Sequence, residues 1–240
     1  MTIASGADDQ ADVAVDLETD DPAGDRLLDA ALDVIAERGW QRATMGEIAL
    51  RGGVSLADVY RLFPTRTHLL AALLARTDRR MLAAPAGSPA NISPGTESPR
   101  DRLFDVVMRR FDMLQQHRAA YLRLMRELPF DPPAMALLLR RLRRAMRWMV
   151  EAAGLPASGA AGFVRRRGLA LIYLDCLRVW ATDDSPDMAR TMATLDRALR
   201  RADALVHRLP GFAVDVPPAP RWPSADLDDG EPTSLEGIPD

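Results

Sequence analysis

Two adjacent glycines, Gly52 and Gly53, followed at once by Val54 and Ser55, separate two helical stretches too short to stand alone. Thr44 opens the first stretch. A threonine with Glu47 three residues on has the capping-box spacing, and helix formers continue to Arg51. Ser55 can cap the second stretch, which runs through Phe63 until Pro64 forces a boundary. Helices shorter than roughly a dozen residues are marginal in water unless an apolar face packs on a neighbour. Ile48, Ala49, Val54, Val59 and Phe63 supply that face, and Ala49 is small where two helices must approach closely. The neighbour precedes them. Leu27, Leu28, Ala31, Val34 and Ile35 recur at helical spacing up to Gly39, which is well placed as a C-terminal stop. The predicted unit is helix, turn, helix locked onto a first helix, an arrangement whose last helix can lie in a DNA major groove.

Downstream the pattern stays helical. A fourth helix is expected from about Arg66 to Ala83, whereas Pro85, Gly87, Pro89, Pro94, Gly95 and Pro99 mark a linker. Leu103, Val106, Val107, Phe111 and Leu114 predict a helix from Asp101 to Gln116, and a shorter one spans Arg118 to Leu128. Asp131-Pro132-Pro133 starts another, which runs to Ala153. Residues from Ala160 to Ala181 are apolar on nearly all sides, which predicts a buried central helix. Asp184-Ser185-Pro186 predicts an N-cap with proline in the first helical position, and a last helix reaching about Leu209. Alternation of Val, Ile and Thr is absent, so the expected class is all-α with about nine helices. The expected organisation is an acidic tail at 1–24, a small helical domain at 25–83, a linker at 84–99, a larger helical domain at 100–210 and a second acidic tail at 211–240.

Charge is informative once it is divided along the chain. All 31 basic residues are arginine. Residues 1–25 carry eight acids and no base, and residues 211–240 carry seven acids against Arg221. Setting those tails aside turns a formal −3 into +11 for residues 26–210. A basic body suits an anionic partner such as nucleic acid or lipid headgroups; a solvated arginine-rich surface accounts for the same count.

The segment from Arg26 to Met81 resembles the TetR family of regulators. The shared residues are Ala31, Ala36, Gly39, Thr44, Ile48, Ala49, Gly53, Val54, Ser55, Tyr60, Phe63, Pro64, Leu69 and Leu70, in unbroken order. The resemblance implies a dimeric regulator, most simply a repressor, that binds a palindromic double-stranded DNA operator. It also implies that Thr44, Ser55 and Tyr60 touch phosphates or groove edges. Arg66 stands where the family usually has lysine, another phosphate contact. Leu56, Ala57 and Arg61 lie on the reading helix, and Arg26 and Arg42 are nearby candidates by position. Asp58 departs from the family pattern, since a carboxylate can accept from cytosine but otherwise repels phosphate.

Residues 101–208 show a second resemblance, to the TetR-like lipid-binding family of ubiquinone biosynthesis. It rests on Arg118-Ala119-Ala120, Leu128-Pro129 and Val179-Trp180-Ala181-Thr182-Asp183-Asp184-Ser185-Pro186-Asp187. In that last stretch Ser185 and Asp187 can equally be plain caps for the final helix. The resemblance implies an apolar effector, a hydrophobic small molecule or lipid, with Phe111, Met125, Met146, Met149, Tyr173 and Trp180 as pocket candidates. It leaves open a DNA-independent role as an isoprenoid-binding accessory protein of quinone biosynthesis. TetR proteins dimerise through their last two helices, and Met188, Met192, Leu195, Leu199 and Leu205 form a stripe that fits such an interface or an internal core.

Catalysis is not expected. His68, His117 and His207 fall on separate helices without ligand-spaced partners, so no metal site and no cofactor is expected. Cys176 lies in an apolar helix and reads as a small core residue; a lone cysteine also excludes an internal disulfide. The acidic N-terminus does not resemble a secretory signal, and no apolar run approaches the roughly 20 residues that span a bilayer. A cytoplasmic protein without stable membrane insertion is the expectation.

Overall fold

The computed structural model describes residues 22–83 and 98–206, and every regular element among them is helical. In chain order these are α1 (Pro22–Arg38), α2 (Met45–Gly52), α3 (Leu56–Leu62), α4 (Arg66–Leu82), α5 (Pro99–Gln116), α6 (Arg118–Glu127), α7 (Pro132–Ala152), α8 (Gly159–Trp180) and α9 (Ala189–Val206). A 3-10 turn at Leu128–Phe130 joins α6 to α7. Residues 1–21, 84–97 and 207–240, which hold most of the expected N-terminal tail, the linker, His207 and the second acidic tail, lie outside the described residues.

In the N-terminal head, α2 packs on α1 and α3 on α2, and Leu27, Leu28, Leu32 and Ile35 of α1 are fully buried with Ile48, Val59 and Phe63. The body is a bundle in which α5 packs on α7 and α9, and α8 on α7 and α9. Head and body share one core: α4 continues from the head onto α5 and α7, and α1 packs on α6.

Helix starts follow capping chemistry, and two begin earlier than the periodicity suggests. Helix α1 starts at Pro22, inside the stretch expected as tail, because proline is preorganised for the first turn. Helix α5 starts at Pro99 because Ser98 accepts from the Asp101 amide (3.2 Å) and donates to its carboxylate (2.7 Å). Asp131 caps α7 at the Ala134 amide as expected.

Helix α9 begins three residues later than expected, at Ala189 rather than Pro186. Asp183, buried, sets that start. One carboxylate oxygen accepts from the amide and hydroxyl of Thr191 (both 2.8 Å), the other from the Ser185 hydroxyl (2.5 Å). Met188 bridges the step with φ +52, a left-handed conformation rare for its type. Ser185 does cap, accepting from the Ala189 amide, but the acidic role belongs to Asp183 and not Asp187.

Helix α8 is not buried on all sides. Leu169, Tyr173, Cys176 and Trp180 point inward, while Phe163, Val164, Leu171 and Leu174 are exposed. Of the α9 stripe, Met188, Leu195 and Leu199 are buried in the chain's own core, and Leu205 is exposed.

Candidate nucleic-acid interface

Local chemistry fixes the shape of the head. Thr44 and Glu47 form the reciprocal capping box, with the Glu47 amide donating to the Thr44 hydroxyl and the Thr44 amide to the Glu47 carboxylate (both 3.2 Å). At the far end of α2 the Val54 amide reaches back to the Ala49 carbonyl (3.1 Å) and the Gly53 amide to that of Leu50 (3.3 Å). This paired closure needs a left-handed residue at its hinge, and Gly53 has φ +65. Ser55 then caps α3 at the Asp58 amide (3.1 Å).

Of the residues expected to touch DNA, Thr44, Ser55, Leu56, Ala57, Tyr60 and Arg61 are all exposed. Tyr60 is 71% and Leu56 59% accessible, large values for residues of their size. Leu50 at the end of α2 is 84% accessible, an exposed apolar residue that no spacing rule singles out. Arg26 and Arg42 are exposed as well. Asp58 does not present a bare carboxylate. It accepts from the Ser55 hydroxyl (2.6 Å) and lies 3.6 Å from Arg61, and the Ser55 bond holds it below the ordinary carboxylate range.

Arg66 is placed differently from the expectation. It is half-buried, donates to the Trp40 carbonyl and lies 4.5 Å from the centroid of the Trp40 ring. Its guanidinium is therefore engaged inside the protein, on the corner between α1 and α2.

In the body, the structure brings Phe111, Tyr173 and Trp180 together. Phe111 stacks on Tyr173 at 5.3 Å between centroids and meets Trp180 at 6.3 Å. Met146 and Met149 are buried on α7, and Met125 is half-buried on α6. Sequence reasoning missed Arg110, a buried arginine beside this cluster. Its Nε donates to the Tyr173 hydroxyl (3.2 Å) and its Nη1 pairs with Asp78 on α4. Trp180 donates to Gln115 (2.9 Å), and Arg118 caps the end of α8 through the Trp180 carbonyl (3.2 Å), that of Ala181 (3.3 Å) and that of Asp183 (3.2 Å). The Trp180–Asp183 motif is thus held from α6 as well as from α9. Burial pushes the Cys176 thiol up to about 11, which suits a packing residue. A small polar cleft lined by Arg76, Thr77, Arg80, Gln116, His117 and Tyr121 has a volume of about 10 Å³, room for a single water. No cluster of three or more metal-ligating side chains occurs among the described residues, nor a helix long and apolar enough to cross a membrane.

Residues 27–73 match the family model described as bacterial regulatory proteins, tetR family. Over those residues the head is similar to the TetR family. Residues 135–206 match the model described as COQ9. The HTH-type transcriptional repressor KstR of Mycolicibacterium smegmatis is 36% identical over 72 residues, which are 27% of this chain and 34% of that protein. Its namesake from Rhodococcus jostii is 38% identical over 56 residues, 23% of this chain and 26% of that protein. The match therefore spans about a third of these relatives or less. Among solved structures, a TetR transcriptional regulator from Nitrosomonas europaea superposes with a TM-score of 0.61 at 26% identity, covering 77% of this chain and 99% of that one. One from Rhodococcus sp. gives 0.52 at 25%, covering 77% and 96%.

The TetR-type head is joined to the body at its α1–α2 corner. The buried Trp40 donates its indole N–H to Asp131, the cap of α7, at 2.9 Å. The Gln41 amide donates to Glu127 at 2.8 Å. Gly39, with φ +85, lies so close that a Cβ on it would fall 2.3 Å from a Glu127 carboxylate oxygen. Asp29 of α1 meets buried Arg76 (2.8 Å) and His117 (3.8 Å) on the other flank.

Proposed function

We propose that this chain is a transcriptional regulator of repressor type that binds a palindromic operator as a homodimer and is released by an apolar small molecule or lipid. The observation that carries the reading is the TetR-type head with Leu56, Ala57 and Tyr60 turned outward on α3. The repressor sense is supported by the two relatives named as repressors. Dimerisation is supported by α8, where Val164, Arg167, Leu171, Leu174 and Arg178 recur every three or four residues along an exposed face. Two such faces can pair about a two-fold axis, matching the symmetry of a palindrome. The effector reading rests on the Phe111–Tyr173–Trp180 cluster with the methionines of α7, an adaptable apolar lining. Its proximity to the Arg110–Asp78 pair would couple occupancy to α4, the helix leading out of the head.

The test is a fluorescence-anisotropy titration with duplex DNA from the intergenic region beside the protein's own gene, at several salt concentrations and with scrambled competitor. Binding that survives competitor is expected, with a salt slope that counts phosphate contacts. Equal, weak affinity for scrambled DNA would count against it.

The match of residues 135–206 to COQ9 favours a second reading, a lipid- or isoprenoid-binding accessory protein of quinone biosynthesis. That reading requires a co-purifying apolar lipid, detectable by mass spectrometry, together with absence of sequence-specific DNA affinity.

A further inference from the structure

We infer that the head recognises its half-site by the methyl groups of thymine, through Leu56 and Ala57 at the leading end of α3. The inference rests on the DNA-binding reading and adds the chemistry of the bases read. Each base edge in the major groove has its own partner: arginine or lysine for guanine, asparagine or glutamine for adenine, a carboxylate for cytosine, an apolar side chain for the thymine methyl. Helix α3, Leu56–Leu62, contains no lysine, asparagine or glutamine. Val59 is buried, and Leu62 is half-buried and packed on the core. One Asp58 carboxylate oxygen accepts from the Ser55 hydroxyl at 2.6 Å, so part of the hydrogen-bonding capacity of both groups is spent within α3. Arg61 leans back to Asp58 at 3.6 Å. The exposed side chains of α3 are Leu56, Ala57, Tyr60 and Arg61, and the two at its leading end, Leu56 and Ala57, are apolar. Leu56 and Tyr60, four residues apart, share one face of the helix. An exposed leucine on a surface that meets DNA gains by covering a methyl and gains nothing from a guanine or adenine edge.

The test begins with selection of the full-length protein on a random duplex library. Each thymine of the enriched half-site is then replaced singly by uracil, which removes only the C5-methyl. At one or two thymines per half-site the uracil duplex should bind about fourfold more weakly, the factor one buried methyl-sized group is worth. Leu56→Ala should bind the thymine duplex more weakly and be indifferent to uracil. Enriched half-sites whose uracil duplexes all bind like the original would overturn the inference while leaving specific DNA binding intact. So would guanine-centred sites whose selectivity disappears in Arg61→Ala. Failure to enrich any sequence would remove the DNA-binding reading itself, and this inference with it. The uracil comparison uses the unaltered protein, so it stands even if a variant folds poorly.

Discussion

The carboxylate of Asp183 is buried, yet it accepts from two hydroxyls and two amides of Ser185 and Thr191. Burial alone would raise its pKa; the donated hydrogen bonds outweigh burial and hold it well below the ordinary 3.8. The charged form is therefore the one the fold stabilises, and its contribution is complete above about 3.8 and fades as pH falls below it. Asp183→Asn should lower stability by about 2–3 kcal/mol in urea melts at pH 7, and the gap to the unaltered protein should narrow below about pH 4. Gly53→Val forces a β-branched residue into φ +65 and should cost about 1–3 kcal/mol, although a Cβ there meets nothing within 4 Å. Its penalty belongs to the backbone, so Gly53→Asn should lose much less in the same melts. These two positions differ in how far sequence reaches. The turn at Gly53 and the Thr44–Glu47 box were legible because donor and acceptor lie within five residues. Local spacing assigns the cap to Ser185 and Asp187, with no role for Asp183, because the Thr191 partner of Asp183 lies eight residues on, and Arg110 went unnoticed because Asp78 is 32 residues away.

At the scale of elements, helix existence and order were legible from periodicity, whereas the direction each face points was not. Helix α8 is apolar nearly all round, which composition alone equates with burial; the bundle covers one face and leaves Leu171 and its neighbours outside. Helix α9 has the cleaner amphipathic stripe, and that stripe serves the internal core. Leu171→Glu, at a site 71% accessible, should leave the helical content of the monomer unchanged by circular dichroism. It should abolish dimers in analytical ultracentrifugation and reduce operator affinity with them. On α3, Tyr60→Ala should weaken operator binding about tenfold in anisotropy titrations without altering the melting temperature, because its ring contributes little to the core. Arg66→Ala should behave differently from a lost phosphate contact. It frees the Trp40 carbonyl and uncovers the Trp40 ring, so a lower melting temperature should accompany any loss of affinity.

At the scale of the whole molecule, the family resemblance of the head was readable from one continuous stretch, residues 27–73, and the joint beneath it was not. Trp40 and Asp131 are 91 residues apart and Gln41 and Glu127 are 86 apart, distances over which no local spacing rule operates. A tryptophan just after a helix-stopping glycine was the available hint, since a buried indole needs an acceptor for its N–H. The corner is tight: a Cβ on Gly39 would push aside the Glu127 carboxylate that accepts from Gln41, and φ +85 strains any other residue there. Gly39→Ala should therefore disturb both sides of the joint, lowering the melting temperature by more than Gly53→Asn does.

Trp40 is fully buried at that joint, under a guanidinium and hydrogen-bonded across to α7. An indole's emission depends on its hydration and on nearby charge, so any movement that parts the head from α7 would alter the colour and yield of this one fluorophore. With the other three tryptophans, Trp148, Trp180 and Trp222, replaced by phenylalanine, Trp40 would serve as an intrinsic optical gauge of this joint with no dye attached.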